Sequence, residues 1–192
     1  RIFETVEKDA GQYDTVIPIF WATGAALLIR QADYKMAGGL DGRFFAHNEE
    51  IDLCWRLRSR GRIIVCVPQS RVYHVGGATL KKENPRKTFL NFRNNLLMLY
   101  KNMPEAELNA VMRMRFVLDY VAAAVFILKR DWKNAVAVYK ARKEYASMRP
   151  SFKADREENL RRTVVSDISE RKKYSIVWQS KLKGKKRFVQ LP

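Results

Sequence analysis

The spacing of apolar positions divides the chain into two parts of different character. In the first part, short apolar runs alternate with segments of helical period, which predicts strands separated by helices. The predicted elements are an extended run over 15–29 that breaks at Thr23-Gly24, a helix over 30–37, a helix from an N-cap at Asn48 to about Arg60, a strand over 62–67 and a short edge strand over 71–75. From Pro85 onward, apolar residues recur at helical spacing. We predict helices from Pro85 to about Tyr100, from Pro104 to about Leu128, from Asp131 to about Met148 and over 153–162.

The predicted strands are too few for a complete sheet, since sheets commonly contain about four to six strands. The chain also starts at Arg1 rather than at a methionine. We therefore expect a piece of a longer protein whose other strands lie upstream. Within the chain we predict an α/β region over 1–80, a helical region over 81–165 and a basic tail over 166–192.

The charge is distributed unevenly along the chain. Of the formal net charge of +17, residues 1–75 contribute +1 and residues 76–192 contribute +16. Such a basic back half predicts an anionic partner, either a membrane surface or nucleic acid. Two cysteines, Cys54 and Cys66, fall on a predicted helix and a predicted strand without the spacing of a disulfide framework or a zinc site. This pattern favours a reduced, cytosolic setting.

An apolar run over 116–128 lies within the basic half and is interrupted by Asp119. It is shorter than the about 20 residues that a membrane-spanning helix needs. We expect a packed or interfacial helix with basic residues at its two ends, namely Arg113, Arg115, Lys129 and Arg130.

Three acids surround the predicted helix start after Asn48. Glu49, Glu50 and Asp52 fall in the first turn, where the helix dipole stabilises a carboxylate by about 0.3–1 kcal/mol. A carboxylate there is expected to stay ionised, as a general base must be. Asp52 and Arg56 stand at the i,i+4 spacing of an ion pair. Taken alone, the acids fit ordinary helix capping equally well.

The wider segment resembles family 2 glycosyltransferases of the rhamnosyltransferase-like type, over about residues 15–103. No single piece of the resemblance is specific, but the combination is. The matching pieces are Trp21-Ala22-Thr23-Gly24-Ala25, Gly39-Leu40-Asp41-Gly42-Arg43-Phe44-Phe45, Glu49-Glu50-Ile51-Asp52-Leu53-Cys54-Trp55-Arg56, Val67-Pro68, Val72-Tyr73-His74 and Asn91-Phe92-Arg93-Asn94-Asn95.

The resemblance implies a fold class and a set of site residues. The fold is α/β, the C-terminal portion of a GT-A (nucleotide-diphospho-sugar transferase) fold with remnants of a mixed sheet, followed by a basic α-helical extension. The family's Glu-Asp pair becomes Glu49-Glu50 here, so Glu50 inherits the role of catalytic base. The other implied residues are Glu49 and Asp52 beside the base, with Asp52 supported by Arg56, then Trp21, Gly24, Ala25 and Trp55 for substrate and His74 as a metal ligand. Trp21 and Trp55 fit the hydrophobic core as readily, and His47 is not expected to bind metal.

The implied activity is inverting transfer from a nucleotide-sugar donor to a glycan or lipid-linked acceptor in cell-surface polysaccharide biosynthesis. The implied cofactor is a divalent metal, Mn²⁺ or Mg²⁺, held mostly by an Asp-x-Asp motif. No Asp-x-Asp occurs in the chain, so we expect it to be inactive alone. We expect a cytoplasmic protein, peripheral on the inner face of a bacterial membrane, with an anionic membrane surface as a candidate partner and no nucleic acid. The alternatives are a basic nucleic-acid-binding module and a non-catalytic interaction domain.

Overall fold

The computed structural model describes residues 8–74 and 84–191. This part of the chain is mostly helical and contains a small antiparallel sheet, in which Ile17 pairs with Cys66 and Ile19 with Ile64. The strands are β1 (Ile17–Ile19) and β2 (Ile64–Cys66), and the helices are α1 (Gln31–Ala37), α2 (Glu49–Ser59), α3 (Pro85–Asn102), α4 (Glu105–Leu128), α5 (Trp132–Met148) and α6 (Lys153–Arg161). None of the helices in the described ranges is both long and apolar enough to cross a bilayer.

The helix predictions are confirmed closely, whereas the strand predictions are only partly right. The extended run over 15–29 contributes three residues to the sheet, because the chain turns into a short 3-10 helix at Gly24–Ala26. Residues 71–74 of the predicted edge strand form no strand, and residue 75 lies outside the described residues. A strand needs a hydrogen-bonding neighbour, and the described sheet contains only β1 and β2.

Helix α3 is the centre of the packing and contacts α2, α4, α5 and α6. Its apolar side fills the main core, together with side chains from the loop before α2, from α2 itself and from the helices that follow. Its buried members include Phe44, Trp55, Leu96, Leu97, Tyr100, Tyr145, Phe152 and Ile168.

The segment at the junction of the predicted helical region and the predicted basic tail packs against the end of α2. The amides of Val164 and Val165 donate to the carbonyl oxygen of Ser59 at 2.8 and 2.9 Å. Ile168 is buried in the main core, and the Glu170 carboxylate forms an ion pair with Arg58. These contacts fix the far end of the helix that carries the three acids.

Candidate active site at the start of α2

A strained loop leads into α2. Phe45, His47 and Asn48 all have positive φ, at 65°, 71° and 71°, although residues with a Cβ rarely adopt this region. Phe45 is the centre of a γ-turn, since the amide of Ala46 donates to the carbonyl oxygen of Phe44 at 2.8 Å. Asn48 occupies the predicted N-cap position, but its left-handed backbone leaves the side chain without a capping hydrogen bond. The predicted mechanism of capping is therefore wrong, although the position is right.

Asn94, in the middle of α3, holds this loop in place. Its side chain is fully buried, and its Nδ2 lies 2.8 Å from the carbonyl oxygen of Phe44, 2.7 Å from that of Ala46 and 2.8 Å from that of His47. Arg93 orients the amide by donating from Nε to its Oδ1 at 2.9 Å. A conformation that costs about 1–3 kcal/mol per strained residue persists only where the surroundings impose it. Asn94 supplies that constraint.

The Gly24–Ala26 turn packs beside Glu50. A Cβ placed on Gly24 would meet the Cβ of Glu50 at 3.9 Å, an ordinary van der Waals contact, so the Gly24 backbone lies close to this residue. One helical turn later, the amide of Ala22 hydrogen-bonds the buried sulfur of Cys54. The structure therefore places Gly24 next to Glu50 at one edge of α2.

The acids at this edge carry buried oxygens that have no partner. Among the described residues, Oε2 of Glu49, Oε2 of Glu50 and Nε2 of His47 are buried without a hydrogen bond. Buried polar atoms in folded proteins are nearly always paired. The unpaired oxygens of Glu49 and Glu50 can therefore accept hydrogen bonds from a ligand.

The local environment makes Glu50 a weaker acid than usual. Burial raises the pKa of Glu50, and the neighbouring Glu49 carboxylate raises it further, which outweighs the opposing amides of Glu50 and Ile51 at the helix start. The helix start alone predicts a lowered pKa for this group, whereas the burial of Glu50 raises it. Burial and the charge of Lys87 lower the pKa of His47 against the opposing charge of Glu49. The site thus combines a carboxyl group of raised proton affinity with an imidazole that favours its neutral form.

Asp52 has a different role from Glu49 and Glu50. It is fully buried, and the predicted pair with Arg56 is present, with Oδ2 accepting from Nη2 of Arg56 at 2.7 Å. The same oxygen accepts from Lys101 at 3.0 Å, and Oδ1 accepts from Nδ2 of Asn102 at 2.7 Å. Lys101 continues to Asp41 at 2.8 Å. Asp52 therefore anchors α2 to the end of α3, and no solvent-facing oxygen remains for catalysis.

The remaining predicted residues lie in contrasting surroundings. Trp21 is 43% exposed next to the Gly24 turn, whereas Trp55 is only 4% exposed, with Phe20 against its edge at 5.4 Å and Arg171 over its ring at 5.5 Å. Trp55 is thus a core residue, which was the alternative interpretation of its role. The ring of Trp21 is partly exposed.

His74 is exposed at the end of the first described range. The described ranges contain no group of three or more His, Cys, Asp or Glu side chains that could hold a metal ion. These residues on their own therefore do not fit a metal centre.

Asn94 is the functional residue that sequence reasoning left without a role. It belongs to the Asn91–Asn95 piece of the resemblance, but its contacts with residues 44–47 are long-range. A signal was available, because Leu90, Asn94, Leu97 and Lys101 follow the i, i+4, i+7, i+11 spacing of one helix face and all four are buried. A polar residue on an apolar stripe predicts a buried polar contact.

The part of the chain that resembles rhamnosyltransferase-like enzymes contains the strained loop, the acidic helix start and the glycine turn. Comparison with known proteins confirms this resemblance over part of the chain. No protein-family model matches, and no solved structure matches significantly. Over 57 residues, the chain is 39% identical to the N-acetylglucosaminyl-diphospho-decaprenol L-rhamnosyltransferase of Mycobacterium tuberculosis (strain CDC 1551 / Oshkosh), which covers 30% of this chain and 19% of the relative. Over 69 residues, it is 33% identical to rhamnosyltransferase WbbL of Escherichia coli (strain K12), which covers 36% of this chain and 25% of the relative. The matches thus span about a fifth to a quarter of the length of these relatives.

Proposed function

We propose that this chain is the acceptor-side part of an inverting glycosyltransferase with a GT-A fold, and that Glu50 is its general base. The observation that carries the proposal is the half-buried Glu50 carboxyl group, whose Oε2 has no hydrogen-bond partner, beside the Gly24 turn. The similarity to rhamnosyltransferases supports a nucleotide-sugar donor and a glycan or lipid-linked acceptor. By the same argument, we propose that the enzyme acts in cell-surface polysaccharide biosynthesis, at the cytoplasmic face of a bacterial membrane.

The proposed chemistry is a single displacement at the anomeric carbon of the donor sugar. The Glu50 carboxylate accepts the proton of an acceptor hydroxyl while that oxygen forms the new glycosidic bond. The bond between the anomeric carbon and the nucleoside diphosphate breaks, and the diphosphate leaves with the electron pair. Attack opposite to the leaving group inverts the configuration at this carbon.

The residues around Glu50 tune and position this base. The charge of Glu49 raises the proton affinity of Glu50, which brings it closer to the pKa range in which a general base is effective. Gly24 leaves room for the acceptor oxygen, and Trp21 offers an exposed ring on which a sugar can stack. The contacts of the Asn94 side chain with the carbonyl oxygens of Phe44, Ala46 and His47, which we call the Asn94 clamp, keep the loop before Glu50 in its strained form.

The decisive experiment compares Glu50→Gln with Glu49→Gln in the complete enzyme. We expect Glu50→Gln to lower the transfer rate by about 10²- to 10⁴-fold, because the amide cannot accept the proton. Glu49→Gln should keep measurable transfer and shift the acidic limb of the pH–rate profile to lower pH, because the charge that raises the pKa of Glu50 is gone. Near-normal transfer by Glu50→Gln refutes the assignment of the base.

His74 is proposed as one additional ligand for the Mn²⁺ or Mg²⁺ that a diphosphate donor commonly carries. Because the described residues do not form a metal centre, the other ligands have to come from beyond them. The test is the metal titration of transfer activity in the complete enzyme. His74→Ala should raise the Mn²⁺ concentration needed for half-maximal rate, and an unchanged titration removes His74 from the metal site.

A further inference from the structure

The middle of helix α4 is inverted in polarity relative to an ordinary surface helix, because it buries an acid and exposes apolar side chains. Its central acid, Asp119, is 0% exposed and pairs at 2.6 Å with Arg115 of α4 and at 2.6 Å with Arg142 of α5. Arg115 therefore faces inward and does not flank the apolar run on the outside, which corrects one part of the sequence expectation. In this middle part of α4 the charged groups Arg115 and Asp119 face a neighbouring helix, whereas apolar side chains on the opposite side are exposed.

The outward side of α4 is a continuous apolar stripe, which we call the α4 stripe. It consists of Met114, Val117, Val121, Ala124 and Leu128, at the spacing of one helix face. All five are exposed, with Val117 at 60% and Leu128 at 84%. From Met114 to Leu128 the stripe is about 21 Å long, at about 1.5 Å per residue. Contiguous exposed apolar patches rimmed by polar residues commonly mark an interaction site.

Exposed cations stand at both ends of the α4 stripe. Arg113 lies at its start, and Lys129, Arg130 and Lys133 surround its end, where Trp132 is 60% exposed. Between Leu108 and Arg130 the only acid is the buried Asp119. Apolar residues in the middle, cations at the edges and a tryptophan at the boundary are the pattern of a helix that lies in a membrane interface.

We infer that the α4 stripe docks this protein on an anionic lipid bilayer, with Lys129, Arg130 and Lys133 at the headgroups and Trp132 at the boundary between headgroups and acyl chains. A second copy of the chain fits less well, because antiparallel stripes would bring Arg113 against the cations of the opposite end. Nucleic acid also fits less well, because an aliphatic stripe offers nothing to phosphates. The inference goes beyond the proposed transfer reaction and does not depend on Glu50.

The experiment measures co-sedimentation of the full chain with vesicles of phosphatidylglycerol and phosphatidylcholine, against phosphatidylcholine alone, at low salt. We expect binding to the anionic vesicles only. The triple variant Lys129→Gln/Arg130→Gln/Lys133→Gln should lower the partition coefficient by on the order of 100-fold, at about fivefold per cation. The control Lys172→Gln/Lys183→Gln removes exposed cations elsewhere and should lower binding far less per charge.

Two further variants test the stripe itself. Val121→Asp places a charge at its centre and should abolish binding, whereas Leu182→Asp, at another exposed apolar position, should not. Trp132→Phe should retain binding and lose most of the blue shift of tryptophan fluorescence on anionic vesicles. Thermal melting of each variant establishes that it folds.

Several outcomes overturn the inference. They are vesicle binding that is insensitive to Val121→Asp, binding to RNA, DNA or an acidic protein without binding to vesicles, and a lipid-free dimer that Val121→Asp dissociates. Vesicle binding is measured without a sugar donor, and transfer is measured on a water-soluble acceptor. Failure of the docking inference therefore leaves the transfer proposal standing, and the reverse also holds.

Discussion

The contacts of Asn94 predict that Asn94→Asp destabilises the fold more than Asn94→Ala does. The Asn94 amide nitrogen faces the carbonyl oxygens of Phe44, Ala46 and His47 at 2.7–2.8 Å. An NH₂ group has only two hydrogens, so three acceptors share two hydrogen bonds. Asn94→Asp preserves the shape of the side chain but directs a carboxylate oxygen at three carbonyl oxygens. Asn94→Ala removes the bonds without adding repulsion.

The magnitudes follow from these contacts. Two buried hydrogen bonds contribute about 1–3 kcal/mol in total, and carbonyl groups left unsatisfied in the interior add to the loss. We therefore expect Asn94→Ala to lower the free energy of unfolding by about 2–4 kcal/mol, and Asn94→Asp to lower it by more. Asn91→Ala is the matched control on the same helix, because within the described ranges its side chain makes no hydrogen bond, and it should cost less than about 1 kcal/mol.

Urea unfolding of the chain measures the ordering, and hydrogen exchange locates the effect. Amides of residues 45–50 should exchange faster in Asn94→Ala, whereas those in the middle of α5 should not change until global unfolding. If Asn94→Asp is as stable as the wild type, or if Asn91→Ala is equally damaging, the clamp is not what holds the loop.

Three other predictions concern the same region. Asp52→Asn should destabilise the chain by about 3–5 kcal/mol in urea, because it takes the carboxylate from the buried Arg56 and one of two carboxylates from the buried Lys101. Asp155→Asn at a partly exposed pair should cost about 0–1 kcal/mol, and equal losses would refute the burial argument. The raised pKa of Glu50 means that the fold favours its neutral form, so the stability from this group is present below its ordinary pKa and is lost as the pH rises through the raised value. Glu50→Gln should therefore be more stable than the wild type at pH 8 and no more stable at pH 4, and a stability gain of the same size at both pH values would contradict this. Iodoacetamide should modify the exposed Cys66 in the folded chain but spare the buried Cys54, whose thiol pKa burial raises, as mass spectrometry can verify.

The helices were predictable because each carries its own local signals. Pro85 at the first position of α3 and Asp131 before α5 mark helix starts in the sequence itself. The predicted strands failed where pairing decided the outcome, as at residues 71–74, since a strand depends on a neighbour that the local pattern does not specify. The resemblance located Glu50 and Gly24 in advance, and the structure shows that they lie side by side.

The electrostatics of the acidic site were not predictable in the same way. The dipole at the start of α2 is a local property, and it predicts an ionised Glu50. Desolvation depends on residues distant in sequence that pack near the helix start, such as Gly24, and it has the opposite sign. The left-handed backbone of Asn48 was equally hidden, because residues distant in sequence impose it.

One face of α3 links these local features into a single site. Asn94 and Lys101 are seven residues apart, which places them on the same side of the helix about 10 Å apart along its axis. Asn94 fixes the loop that enters α2, and Lys101 fixes Asp52 within its first turn. Glu49 and Glu50 lie between these two points of attachment, so α3 restrains their backbone from both sides. Oε2 of each carboxyl group stays without a hydrogen-bond partner. The buried polar side chains of α3 thus belong to the candidate active site as much as the acids themselves, and the contacts cross from the predicted α/β region into the predicted helical one.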